Sequence, residues 1–214
     1  MNFFYQEYPL SEHTLALKHN KKAYAYSCII DFFMFLGLKD VREFHSIEQY
    51  FTYAHYKKNT VLSSKDVISK KFFFIAEGAT RTYKMEGEEE HTLLLSTEGT
   101  INTHIESLLN GTVPDATLVT TEDCSILELT YDNFERMQLE NSHMALAISR
   151  GMAMYLKFQQ SFSSIMKEDA RTKFDYLQIH MPQISNRFPL KYQASFLGIK
   201  PETLSRIRNE IRFK

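Results

Sequence analysis

Three kinds of hydrophobic spacing divide the chain. Up to about residue 55 the apolar positions suit helices, with two candidate pieces around Tyr24–Leu36 and Val41–Tyr53 and many aromatic residues. From Tyr56 to Leu129 short apolar runs alternate with turn residues. They predict strands at Thr60–Leu62, Lys71–Ile75, Thr80–Met85, Thr92–Ser96, Ala116–Thr121 and Ser125–Leu129. Strands of this length and spacing imply an antiparallel roll or barrel. Met85-Glu86-Gly87-Glu88 reads as a hairpin tip, the acids at 86 and 88–90 as a solvated loop, and Asn59 as a left-handed turn residue.

From about Tyr131 to Met166 the period becomes helical and sustained. One seam alternates steps of three and four through Phe134, Met137, Asn141, Met144, Ile148, Gly151, Tyr155, Phe158, Phe162 and Ile165. A seam this long predicts a helix paired with a copy of itself. The expected dimer interface centres on Met144, Ile148, Gly151, Tyr155 and Phe158. Asn141 would fix the register, and Gly151 would let two backbones approach. A second apolar face, Leu139, Leu146, Ala153 and Leu156, would pack on the roll. The competing reading is a monomer whose helix is buried on both faces.

A further helix is predicted over Arg171–His180, stopped by Pro182. After Pro189 the chain reads as two short helices joined by a tight turn. Ala194 suits a close helix crossing, Gly198 a turn at positive φ, and Pro201 the first turn of the second helix. Leu197, Ile199, Leu204 and Ile207 form the side to be buried. The opposite face carries Glu202, Thr203, Ser205, Arg206 and Arg208, with Lys200 at the helix start. A helix-turn-helix lays such a second helix in the major groove of double-stranded DNA.

Charge supports that reading. From Arg187 onward there are seven Lys or Arg residues against two acids, a segment of +5 in a chain of −1, so the remainder is −6. A basic end on an acidic body is the footprint of a chain that meets a polyanion at one end. The 214 residues, 43% hydrophobic and 14% aromatic, suffice for one large or two small domains. Cys28 and Cys124 form no CxxC pair, which argues against a disulfide framework, a structural zinc or a four-cysteine cluster. No signal-peptide pattern opens the chain, and the apolar run Cys28–Leu38 is too short to span a bilayer, so a cytoplasmic location is expected.

Roll, long helix and terminal helix pair occur in an order that resembles the Crp/Fnr family of bacterial transcription regulators. The resemblance rests on Phe196-Leu-Gly-Ile-x-Pro-Glu-Thr-Leu-Ser-Arg-Ile-Arg208, which is highly specific, and on Phe74-Ile75-x-x-Gly78-x-x-Arg81 in the roll. It covers about residues 40 to 214. It implies an α+β chain: N-terminal helices and a cyclic-nucleotide-binding-like β-roll over 1–130, a dimerisation helix over 131–166 and a helix-turn-helix DNA-binding domain over 167–214. It also implies a homodimer that binds a pseudo-palindromic site and works with RNA polymerase, and no enzymatic activity. The family's Glu-x-x-Ser-Arg reading triad falls on Glu202, Ser205 and Arg206. Arg206 suits guanine O6 and N7, Glu202 the cytosine amino group and Ser205 a thymine. Pro201 makes the match closer to the Fnr branch, and Gln193 departs from the family's usual branched aliphatic.

The effector cassette departs much further. The family's Gly-Glu positions fall near Gly99 and Thr100, and the Arg-Ser pair that holds the cyclic phosphate falls on Pro114 and Asp115. A carboxylate at a phosphate site repels, and the bidentate donor is missing. The pocket therefore reads as degenerate, cyclic nucleotides are not expected, no cofactor is implied, and the small-molecule effector is not identified. The alternative function is a cupin-like β-barrel that binds a small molecule or a metal without DNA. Its clustered ligands are missing: His91 and His104 stand apart, and no catalytic constellation or metal motif is formed.

Overall fold

The computed structural model describes residues 8–38 and 47–212. Helix α1 (Glu12–Ala16) leads through a 3-10 turn into α2 (Lys21–Phe35), whose Asn20 cap accepts from the Ala23 amide at 3.2 Å. Buried Asp31 of α2 accepts from the Ser11 amide at 2.8 Å and from Thr14 Oγ1 at 2.7 Å, which fastens α1 to α2.

Eight strands follow: β1 (Phe51–Tyr56), β2 (Val61–Ser63), β3 (Lys71–Glu77), β4 (Thr80–Glu86), β5 (Glu89–Ser96), β6 (Ile101–Asn102), β7 (Ala116–Thr120) and β8 (Cys124–Thr130). They form two four-stranded antiparallel sheets, ordered β1-β8-β3-β6 and β2-β7-β4-β5. Side chains alternate between the faces of a strand. Phe73, Leu118, Cys124 and Ile126 fill the space between the sheets. Phe74, Ala76, Leu127 and Leu129 point the other way, into a core shared with α2 and the long helical segment. The first forty residues, given no role by the sequence, thus supply the helix that covers the outer face of the first sheet. Phe32 of α2 lies 5.6 Å from Phe74, ring centre to ring centre.

All six predicted strands form. Two others were missed, the two-residue β6 and β1. Part of the piece read as helical over Val41–Tyr53 lies outside the described residues, at 41–46. The rest is a 3-10 turn at Ile47–Gln49 followed by β1. Pairing decides this: β1 aligns residue by residue with β8, from Phe51 opposite Leu129 to Tyr56 opposite Cys124. A short helix between β6 and β7, α3 (Ile105–Asn110), was also missed.

The segment expected as one helix is two, α4 (Tyr131–Glu140) and α5 (Ser142–Ile165). Asn141 breaks it. Its backbone is extended, at φ −141 and ψ 104, and its side chain accepts from the amides of His143 and Met144, both at 3.0 Å. It caps α5 and does not sit in a helical seam. Then come α6 (Ala170–His180), α7 (Pro182–Arg187), α8 (Leu190–Leu197) and α9 (Pro201–Arg212). Pro182 both stops α6 and opens α7, because the first helical position needs no N–H.

Candidate nucleic-acid interface and effector cavity

Helices α8 and α9 meet at Gly198, which takes φ 63 and ψ 36, the left-handed conformation that glycine adopts without strain. The Ile199 amide returns to the Ala194 carbonyl at 3.0 Å and closes the end of α8. Ala194, Leu197, Leu204 and Ile207 are buried in one cluster with α6 and α7. Buried Gln193 donates from Nε2 to the carbonyls of Ser185 at 2.9 Å and Phe188 at 2.7 Å. It ties α8 to the end of α7.

The opposite face of α9 is open. Lys200, Glu202, Ser205, Arg206 and Arg208 are exposed, and Thr203 is half-buried. Glu202, Ser205 and Arg206 line one shallow depression with Asn209 and Leu190. Positions 202, 205, 206 and 209 are spaced i, i+3, i+4 and i+7, one face of a helix. Asn209 shares this face and was not named from the sequence, although the helical period places it there.

Contacts from the roll hold this helix pair. Arg81, 3% exposed, donates from Nε to Thr92 Oγ1 at 2.8 Å and pairs with Glu90. Its guanidinium lies 4.7 Å from the centre of the Tyr83 ring and 4.0 Å from that of Tyr192 on α8. The amide of Thr92, on edge strand β5, donates to Ser195 Oγ of α8 at 2.8 Å. Phe162 of α5 stacks on Phe196 of α8 at 4.9 Å. Arg187 reaches both Glu98 and Glu122 on roll turns, and those hydrogen bonds hold its pKa above the usual guanidinium value. Counted from sequence with the basic end, Arg187 is spent on the acidic body.

The residues expected at the dimer seam pack within the protomer. Met144 is 2% and Phe158 3% exposed inside the protomer's own cores, and Ile148 and Tyr155 pack against the same cores. A Cβ at Gly151 would stand 3.2 Å from Leu36 Cδ1, so the small residue admits the end of α2. The face assigned to the roll is the free one. Leu139 is 87%, Leu146 50% and Leu156 65% exposed, with exposed Ala153 between. A seam pattern says that two faces are apolar; which one the protomer covers depends on α2, which the pattern does not report.

The cassette positions do not converge. Gly99 and Thr100 form the turn between β5 and β6, bonded to Ile75 through the Gly99 amide at 2.8 Å and the Thr100 carbonyl at 3.0 Å. Pro114 is buried and Asp115 exposed. Burial lowers the pKa of nearby His104, and the charge of Asp115 opposes that shift. A cavity of about 190 Å³ lies elsewhere, between α2, the first sheet and α5, and of the four cassette residues only Thr100 lines it. Among the described residues no group of three or more His, Cys, Asp or Glu is placed to hold a metal ion. None of the described helices is long and apolar enough to cross a membrane.

Residues 53–141 match the cyclic nucleotide-binding domain family. No curated protein matches the chain. Among solved structures, the c-di-GMP responsive global regulator CLP of Xanthomonas campestris superposes with a TM-score of 0.62 at 13% identity, over 81% of this chain and 92% of that one. FixK2 of Bradyrhizobium japonicum gives 0.61 at 14%, over 76% and 85%. A CooA mutant from Carboxydothermus hydrogenoformans gives 0.60 at 19%, over 83% and 87%. The chain has the Crp/Fnr fold. The roll keeps the Phe74-Ile75-x-x-Gly78-x-x-Arg81 pattern, and Arg81 proves to be the residue that receives α8. The two positions that the resemblance assigns to the phosphate-binding pair, Pro114 and Asp115, carry no cation.

Proposed function

We propose that the chain is a homodimeric, sequence-specific DNA-binding regulator of transcription that does not depend on cyclic nucleotides. The observation that carries this reading is the exposed face of α9, where Glu202, Ser205, Arg206 and Asn209 lie side by side on a helix whose other face is buried. Glutamate, serine, arginine and asparagine are side chains that read base edges, and Arg206 can bind guanine through two parallel hydrogen bonds. Lys200 stands at the start of the helix, where a lysine meets phosphate.

Dimerisation through the free face of α4 and α5, around Leu146, Ala153 and Leu156, would present two copies of α9 to successive major-groove segments. Half-sites would then lie about one helical turn apart, roughly 34–36 Å. By resemblance to the Fnr branch each half-site carries a TTGA-like core. RNA polymerase is the expected partner at the promoter, and the cytoplasm the expected compartment. Repeated selection of bound sequences from random duplexes by the purified protein tests the reading. Enrichment of an inverted repeat supports it. Recovery of unenriched DNA, or of none, contradicts it.

A further inference from the structure

The cavity between α2, the outer face of the first sheet and α5 has a chemistry of its own. Its volume is about 190 Å³, and its walls are dominated by aromatic side chains, among them Phe32, Phe72, Phe74, Phe134 and Phe158. Among the described residues, none that line it is charged. Phe72 and Phe74 face it, while Phe73 between them points into the space between the sheets. The cavity therefore lies behind the first sheet, apart from Pro114 and Asp115.

Its polar side chains are already engaged. Ser96 Oγ donates to Asn102 Oδ1 at 3.0 Å, and Asn102 Nδ2 to Thr80 Oγ1 at 2.9 Å. Thr100 Oγ1 donates to the Thr97 carbonyl at 2.7 Å, and Thr103 Oγ1 to the Lys71 carbonyl at 2.9 Å. A ligand held here gains little from these donors and meets no counter-charge among the described lining residues. Water gains equally little, since a stable buried water needs two to four polar partners. Protein interiors are otherwise close-packed, so an apolar void of this size is a space suited to an apolar guest. A dry cavity of about 150 Å³ accepts benzene. Aromatic walls favour an aromatic guest through edge-to-face contact. Met152 on α5, 54% exposed, and half-exposed Ile105 on α3 line the cavity and reach solvent, which gives the guest a way in.

We propose that this cavity binds one small, uncharged aromatic molecule of about the size of a single ring or an indole. Because the guest would touch α2, β3 and α5 together, its binding would stiffen the contact between the roll and α5, whose Phe162 stacks on α8.

Calorimetric titration of the full chain with indole and with toluene, in the absence of DNA, tests the proposal independently of any role in transcription. Saturable binding of one molecule per chain is expected, with a rise in melting temperature. Met152→Trp fills the rim without touching the core, and Ile148→Phe fills the interior. Each is expected to weaken indole binding at least tenfold while the melting temperature is kept. Arg206→Ala should bind indole as the wild type does. If Ile148→Phe does not fold, Met152→Trp decides. No saturable binding of either probe overturns the proposal. So does undiminished affinity in the folded cavity-filling variants, or displacement of indole by cyclic AMP.

Discussion

The guanidinium of Arg81, on the second sheet of the roll, lies 4.0 Å from the centre of the Tyr192 ring on α8. Tyr83 closes the other contact at 4.7 Å, and Thr92 and Glu90 take the hydrogen-bonding edge. The group is buried, so the cation–π attraction acts where water does not compete for the charge. The same strand pair thus carries the roll's own packing and the seat of the helix that supports α9.

Arg81→Ala should remove both functions. A desolvated cation–π contact is worth about 2 kcal/mol, and a hydrogen bond to a charged group about 1.5–3 kcal/mol. A loss of roughly 3 kcal/mol in denaturant unfolding is expected, together with faster proteolysis near Phe188–Leu190. Arg81→Lys keeps the charge but not the flat fork, and should fall between the two. A variant as stable and as protease-resistant as the wild type would show that this contact does not hold α8 to the roll.

The exposed face of α5 should be the dimer face. Leu156→Glu would place like charges across a seam that excludes water, and should give monomers by light scattering at micromolar concentration with the melting temperature nearly kept. Met144→Glu should instead unfold the protomer, since an unpaired charge would be buried in its core. Dimers unaffected by Leu156→Glu would place the interface elsewhere.

Cyclic AMP and cyclic GMP should give no binding heat with the purified chain. The motivation is the cassette, where Pro114 and exposed Asp115 offer no cation to a cyclic phosphate. Micromolar affinity for either nucleotide would sink this expectation.

Burial pushes the Cys28 thiol up to about 12 and the Cys124 thiol to about 11, from 9.0. Both should stay unmodified by iodoacetamide at about pH 8 until the chain is denatured. The sign for stability follows from the direction of the shift. A folded-state pKa above the unfolded value means that the unfolded chain releases the proton first. The contribution is complete below about pH 9 and is lost as pH rises from there towards 11–12. Each thiol should lower the unfolding free energy by up to about 1.4 kcal/mol per pH unit in that window. Cys124→Ser should make the alkaline decline shallower; an unchanged slope would show that this thiol does not drive it.

The sequence carried the roll strands and the terminal helix pair well, because both depend on local signals: short apolar runs such as Phe72–Ala76 of β3 bounded by turn residues, Gly198 at a left-handed turn, Pro201 at a helix start. It failed where distant parts decide. Phe51–Tyr56 is a strand because β8 is beside it, and α5 turns Met144 inward to meet α2 and Phe158 inward to meet the roll and the C-terminal helices. Asn141 shows a subtler failure. Asparagine suits a coiled-coil seam and a helix cap equally well, and only the backbone at φ −141 tells them apart. On α9 the exposed face was legible from the helical period, although Asn209 on the same face was not named. The contact between Arg81 and Tyr192 links residues far apart in the chain, and no local pattern announces it.

The most direct measurement compares Arg206→Ala and Lys200→Ala on the selected inverted repeat and on random duplex, across a salt series. Each bidentate guanine contact discriminates by about 1–3 kcal/mol, so Arg206→Ala in both subunits should cost roughly 2–6 kcal/mol on the specific site and far less on random DNA. Lys200→Ala should weaken both alike and flatten the salt dependence by about one unit of slope per subunit. Equal losses on specific and random DNA for Arg206→Ala would contradict the docking of α9 in the major groove.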